Sequence, residues 1–173
     1  MFKKNQEVMA AAKKLAKQEV ALGVDHHETL TTVNRVGYLL QDQGKIKETE
    51  PFYRRDLEGR ERTLGRDHHH TLESVNNMGM LLQDQGNFSL AEPFYRRALE
   101  GSERTLGRDR PNTLISVRNM KGLLKAQGKR KEAEPFYRRS LEGHERTLGS
   151  EHPNTRDSAR LLSNLLQTLE RRE

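Results

Sequence analysis

The sequence predicts an all-α solenoid of stacked helix-turn-helix units, and three recurring tracts predict it. Leu-Leu-Gln-Asp-Gln-Gly occupies 39–44 and again 81–86, and returns as Leu-Leu-Lys-Ala-Gln-Gly at 123–128. Glu-Pro-Phe-Tyr-Arg-Arg starts at Glu50, Glu92 and Glu134, and Glu-Arg-Thr-Leu-Gly starts at Glu61, Glu103 and Glu145. Each copy stands 42 residues from the one before it. A fixed period of this size marks supersecondary units that bury their apolar faces only by stacking on their neighbours.

The middle unit, 67–108, shows how each element arises. Leu72, Val75, Met78, Leu81 and Leu82 recur at spacings of three and four, the pattern of an amphipathic helix, here helix A. It starts near His68–His70, with Asp67 favourable at the positive N-terminal end, and Gly86 ends it. Helix B follows from about Ser89 to Leu106, with Ala91, Tyr95, Ala98, Leu99 and Leu106 on its apolar face. Pro93 lies early in it, where the first amides have no helical acceptor to lose, and Gly107 ends it. Gly101 is an interior glycine that recurs as Gly59 and Gly143. Such a glycine costs about 1 kcal/mol against alanine, so close helix approach or a bend is expected there.

The same register sets repeat 1 over 24–66 and repeat 3 over 109–150. An N-terminal half-repeat, 1–23, carries a helix B over Met9–Leu22, and a capping helix in 151–173 runs over Thr155–Leu169 after Pro153. About eight helices result, in a single array over 1–173. Lys13, Lys14 and Lys17 at one end, and Arg156, Asp157 and Arg160 at the other, supply the polar faces that caps require.

Composition narrows the function classes. Hydrophobic residues make up 32% and the mean hydropathy is −0.97, yet the apolar residues hold periodic positions and both signs of charge are interspersed, so a folded chain is expected. A net charge of +6 suits an acidic protein, an anionic surface or nucleic acid. With no cysteine, disulfides, thiolate catalysis and cysteine metal sites are excluded together. The start, Met1–Gln6, shows no apolar signal segment, and no run approaches the roughly 18 apolar residues of a membrane span. A cytoplasmic protein is expected.

The residues that could carry chemistry follow the period. His26, His27 and His68–His70 lie in the connection from helix B to helix A, where Arg110 and His152 replace His68 in the later copies, so neither metal nor cofactor is expected. Catalytic sets are singular, whereas the notable residues here come in triplicate; neither an enzyme nor a small-molecule substrate is expected. On helix B, Arg54, Glu58 and Arg62 share one face, as do Arg96, Glu100 and Arg104, and Arg138, Glu142 and Arg146. These ladders read as a solvated outer face, each pair contributing about 0.2–0.5 kcal/mol, with Arg55, Arg97 and Arg139 left over as positive charge. Tyr53, Tyr95 and Tyr137 face the core and are unavailable for stacking on bases. Nucleic-acid or anionic-surface binding through these arginines is the alternative function, and weak self-association through the array ends is a third.

Val75-Asn76-Asn77-Met78-Gly79-Met80-Leu81-Leu82-Gln83-Asp84-Gln85-Gly86, followed by Ala91-Glu92-Pro93-Phe94-Tyr95-Arg96-Arg97-Ala98-Leu99, resembles the 42-residue tetratricopeptide repeat of kinesin light chains. Leu106-Gly107-Arg108-Asp109-Arg110-Pro111-Asn112-Thr113 resembles that family's connection from helix B to helix A. The resemblance spans nearly the whole chain and is weakest before Met9. It implies a right-handed α-α superhelix and a non-catalytic scaffold for protein–protein interaction. It further implies that helix A lines a concave groove holding an extended peptide, with amides that donate and accept to its backbone. The period places Thr31, Asn34, Tyr38, Gln41 and Asp42 on that face in repeat 1, and Glu73, Asn76, Met80, Gln83 and Asp84 in repeat 2. Repeat 3 offers Ile115, Arg118, Gly122, Lys125 and Ala126, and the cap Arg160 and Asn164. Acidic groups lie in the first two repeats and Arg118, Lys125 and Arg160 in the last two, so the acidic part of a peptide is expected toward the C-terminal end.

Three positions depart from the repeat. Lys121 replaces the glycine of positions 37 and 79, Thr49 stands where Ala91 and Ala133 stand, and Asp56 where Ala98 and Ser140 stand. Repeats 1 and 3 are therefore expected to be looser than repeat 2.

Overall fold

The computed structural model describes residues 2–171, with Phe2 described by its backbone alone. Met1, Arg172 and Glu173, the outermost positions of the expected half-repeats, lie outside the described residues. Eight helices and no strand are present among the described residues. They are α1 (Phe2–Leu22), α2 (His27–Gln41), α3 (Ile46–Leu64), α4 (His69–Asp84), α5 (Phe88–Leu106), α6 (Pro111–Ala126), α7 (Arg130–Leu148) and α8 (Pro153–Glu170). Helices α2, α4, α6 and α8 are the A helices, and α1, α3, α5 and α7 the B helices.

α1 starts well before Met9, where the repeat pattern fades. Lys3, Lys4, Gln6 and Glu7 are good helix formers, so propensity carries the helix on where the periodic signal stops. Pro51, Pro93 and Pro135 are each the sixth residue of their helices, beyond the four amides that lack a helical acceptor, so the proline interrupts the ladder instead of avoiding that cost. Of the A helices, α2, α4 and α6 end on glycines of positive φ, Gly86 at 76°, and the B helices end on a second set, Gly107 at 97°. The left-handed region holds few side chains without strain, which keeps these joints glycine.

The chain divides into two compact units, one ending at Arg97 and the other starting at Ala98. In the first, α1 packs on α2, α2 on α3 and α3 on α4. Leu15, Val33, Val36 and Leu40 form one buried cluster, with Val8, Ala11 and Phe52 against it. Tyr53, Met78 and Leu81 form another, edged by Ile46, Leu57 and Phe94. In the second unit α7 packs on both α6 and α8, and Val117, Met120, Leu123, Leu124, Ala133, Tyr137 and Leu162 are buried.

The interior glycines are contact points. A Cβ at Gly59 would stand 2.6 Å from Leu30 Cδ2, and one at Gly143 3.1 Å from Leu114 Cδ2, so the glycine admits the leucine of the preceding helix A. The expectation of looseness in repeat 1 fails at both of its marked positions. Thr49 is fully buried with its hydroxyl donating to Lys45 O at 3.0 Å, and Asp56 is fully buried in a bonded network.

Candidate functional site

The helix A face of the first unit is largely bonded within itself. Asn34 Nδ2 donates to Asp56 Oδ2 at 2.7 Å, so this half-buried amide is tied inward. Gln41 accepts from Tyr53 Oη at 2.7 Å and donates to Asp84 Oδ2 at 2.6 Å, bridging α3 and α4. Asn76 is only 8% exposed. Asp42 pairs with Lys4 at 2.7 Å and Glu73 with His70 at 3.0 Å, so the acids of this face have partners of their own. Tyr38 is 55% exposed, Thr31 is exposed, and Met80 and Gln83 are half-buried.

Asp56 is the centre of a buried cluster that sequence reasoning did not assemble. Its carboxylate accepts from Arg60 Nε at 2.6 Å and Ser74 Oγ at 2.6 Å besides Asn34. A carboxylate with three donors, one of them cationic, is how a buried charge is tolerated. The sequence signal was the single acid at a position that is Ala98 and Ser140 elsewhere.

The second unit has an open helix A face. Ile115 and Arg118 line a cavity of about 220 Å³ with Leu114, Lys121, Ser140 and His144. Lys125 and Asn164 line a second, of about 340 Å³, with Tyr137, Leu161, Leu165 and Thr168. Arg160 is exposed and pairs with Asp157 at 2.9 Å. The Lys121 amine sits 5.1 Å from the centre of the Tyr137 ring and donates to Ser140 Oγ at 3.2 Å. Burial, and then the cations Arg118 and Lys125, hold that amine below its ordinary pKa. Lys121, Ser140 and His144 were missed as site residues because Lys121 stands out in the sequence only as a break in packing and Ser140 only as a residue that Asp56 departs from.

The helix B arginines are committed. Arg54 pairs with Glu50, Arg96 with Glu92 and Arg138 with Glu134, at 2.8–2.9 Å, so the ladder runs back to the preceding glutamate and not forward to Glu58, Glu100 and Glu142. The arginines expected to be left over tie successive B helices. Arg55 meets Glu19 at 2.5 Å and the Val24 carbonyl, Arg97 meets Glu61 at 2.6 Å and the Arg66 carbonyl, and Arg139 meets Glu103 and the Arg108 carbonyl. Tyr53 and Tyr95 are 1% exposed and Tyr137 6%.

The histidines of the connections cap helices. The Nδ1 atoms of His26, His68 and His152 accept from the amides of Glu28, His70 and Asn154 at 3.2–3.3 Å. No cluster of three potential metal ligands occurs among the described residues. Burial, and then the neighbouring His69, His70 and Arg60 side chains, lowers the pKa of His68. A lowered folded pKa means a contribution complete above the unfolded value near 6.5 and lost as pH falls through it toward the folded value. Melting of the wild type is therefore expected to drop between pH 7.5 and 5.5, and His68→Asn, which caps at any pH, to show a smaller drop. Equal drops in thermal melts would contradict the capping role.

The tetratricopeptide repeat profile matches residues 28–104, 71–145 and 116–173. Among solved structures, a protein of Podosopora anserina described as a kinesin light chain with nearly identical TPR-like repeats is similar, with a TM-score of 0.82 and 21% identity over 98% of this chain and 80% of that one; a substituted form of the same protein gives 0.82 and 20%. BtubC (BKLC) from P. vanneervenii is similar with a TM-score of 0.76 and 18% identity, over 95% of this chain and 66% of that one. At these identities the likeness shows the fold, an all-α TPR-type solenoid. No curated protein matches the sequence. No described helix is long and apolar enough to cross a membrane.

Proposed function

Since the chain belongs to the tetratricopeptide repeat family, a family of protein-interaction scaffolds, we propose that it holds an extended peptide of a protein partner on its helix A faces. The observation that carries this reading is the second unit, where Ile115 and Arg118 line an open cavity between α6 and α7, and Lys125 and Asn164 line a second among α6, α7 and α8. In the first unit the exposed Tyr38 and Thr31 are the available contacts, whereas Asn34 and Gln41 act by shaping the face, because their amides are already bonded. The chain makes no chemistry of its own in this reading and works by presenting a surface.

The test is a peptide library displayed against the full chain. Peptides selected by the wild type are expected to bind Lys125→Glu at least about tenfold more weakly if the contact is charge-assisted. Arg54→Glu, on the outer face of α3, should leave their affinity unchanged. Equal sensitivity to both substitutions would overturn the assignment to helix A. Binding of RNA instead, with a loss of about 10³–10⁵ in affinity between 50 and 200 mM salt, would favour the arginine surface.

A further inference from the structure

The repeat supplies an internal control for one cavity. In repeat 1 the buried Asp56 carboxylate is surrounded by Asn34, Arg60 and Ser74. Two periods on, the same register positions hold Ser140, Arg118, His144 and Ser158, and position 37 has become Lys121. The acid has gone, the serine has stayed as Ser158, the amide has become the cation Arg118, and the arginine has become His144. What stands there is the cavity of about 220 Å³ bounded by Leu114, Ile115, Arg118, Lys121, Ser140 and His144.

The cations of this cavity are uncompensated. No described carboxylate lies within ion-pair distance of Arg118 or Lys121. Lys121 is half-buried, with only a hydroxyl and an aromatic face for company. His144 Nδ1 is held by Ser158 Oγ at 2.8 Å, which fixes the imidazole at the cavity edge. Lys121, a partly desolvated cation without an anion, is costly, and an arriving anion gains charge-assisted bonds to it and to the exposed Arg118 in a medium that screens less than water. Leu114 and Ile115 offer an apolar wall suited to methylene groups.

We propose that this cavity binds one carboxylate side chain, glutamate or aspartate, of the partner peptide, at the register position where Asp56 supplies a carboxylate from within the chain in repeat 1. The source of the carboxylate rests on the peptide-binding reading; the anion chemistry of the cavity does not. Ser140→Asp restores the repeat 1 acid and makes the chain its own competitor.

The experiment is an NMR titration of the full chain with N-acetylglutamate and, separately, with inorganic phosphate. Saturable shifts of the Ser140 and His144 amides are expected with N-acetylglutamate. Ser140→Asp is expected to melt higher than the wild type and to lose those shifts. Lys121→Gly, the residue of the other two repeats, is expected to weaken the binding at least about tenfold. No saturable shift in the wild type, undiminished shifts in either variant, or tighter binding of phosphate would overturn the carboxylate site. If the peptide library yields no binders while N-acetylglutamate still saturates, the peptide reading fails and the site stands. Selected peptides with no acidic preference, together with a silent titration, would sink the site and leave the peptide reading.

Discussion

Asp56→Ala is expected to destabilise the folded chain by about 3–5 kcal/mol, because it leaves Arg60 buried without its counter-charge. The Arg60 side chain is 7% exposed and that of Asp56 0%, so solvent cannot take over the role of the acid. Asn34 loses its acceptor in the same step, and Ser74 keeps only the His70 carbonyl at 3.1 Å. Repeat 2 shows how the position is filled without charge, since Ala98 and Ser102 occupy the matching positions and are 0% and 2% exposed. Asp56→Ala/Arg60→Ser copies that pair and is expected to recover most of the loss, because a buried ion pair replaced as a whole costs far less than one broken. Urea unfolding of the two variants decides the matter. A single variant within about 1 kcal/mol of wild type, or a double variant no better than the single, would show that the network does not hold repeat 1 together.

Gly37→Ala and Gly79→Ala are each expected to cost about 1–3 kcal/mol through overpacking. A Cβ at Gly37 would stand 2.7 Å from Tyr53 Cδ1, and one at Gly79 2.8 Å from Tyr95 Cδ1. Both rings are 1% exposed and cannot swing aside. Gly122 is the control, a glycine inside α6 where an added Cβ would meet nothing within 4 Å, so Gly122→Ala is expected to stabilise by up to about 1 kcal/mol through helix propensity. The opposite signs separate close packing from the general cost of helix glycine. A destabilising Gly122→Ala, or a neutral Gly79→Ala, in thermal melts would contradict these contacts.

Much of the fold was legible because the 42-residue period repeats every apolar and glycine position, so helices α2 to α7 follow from a single unit. The first two turns of α1 were not legible, since propensity and not periodic burial sustains them. The site was legible as positions on helix A but not as bonds. Nothing local to Asn34 says that Asp56, 22 residues on, will claim its amide. The arginine ties between B helices lay open in the period itself, as Arg55 and Glu19, Arg97 and Glu61, and Arg139 and Glu103 share one spacing, but helical reasoning at three and four residues does not reach them. Lys121 was visible as a departure, and Ser140 as one of the residues that Asp56 departs from. What they form together was not, because a cavity depends on what the neighbouring helix fails to fill.

Hydrogen exchange of the full chain with and without a library-selected peptide tests the proposed function most directly. Protection is expected on the helices that carry the helix A face, above all α6 and α8, with α3 and α5 unchanged around Arg54 and Arg96. Protection confined to α3 and α5 would place the binding surface on the arginine side and contradict the helix A assignment.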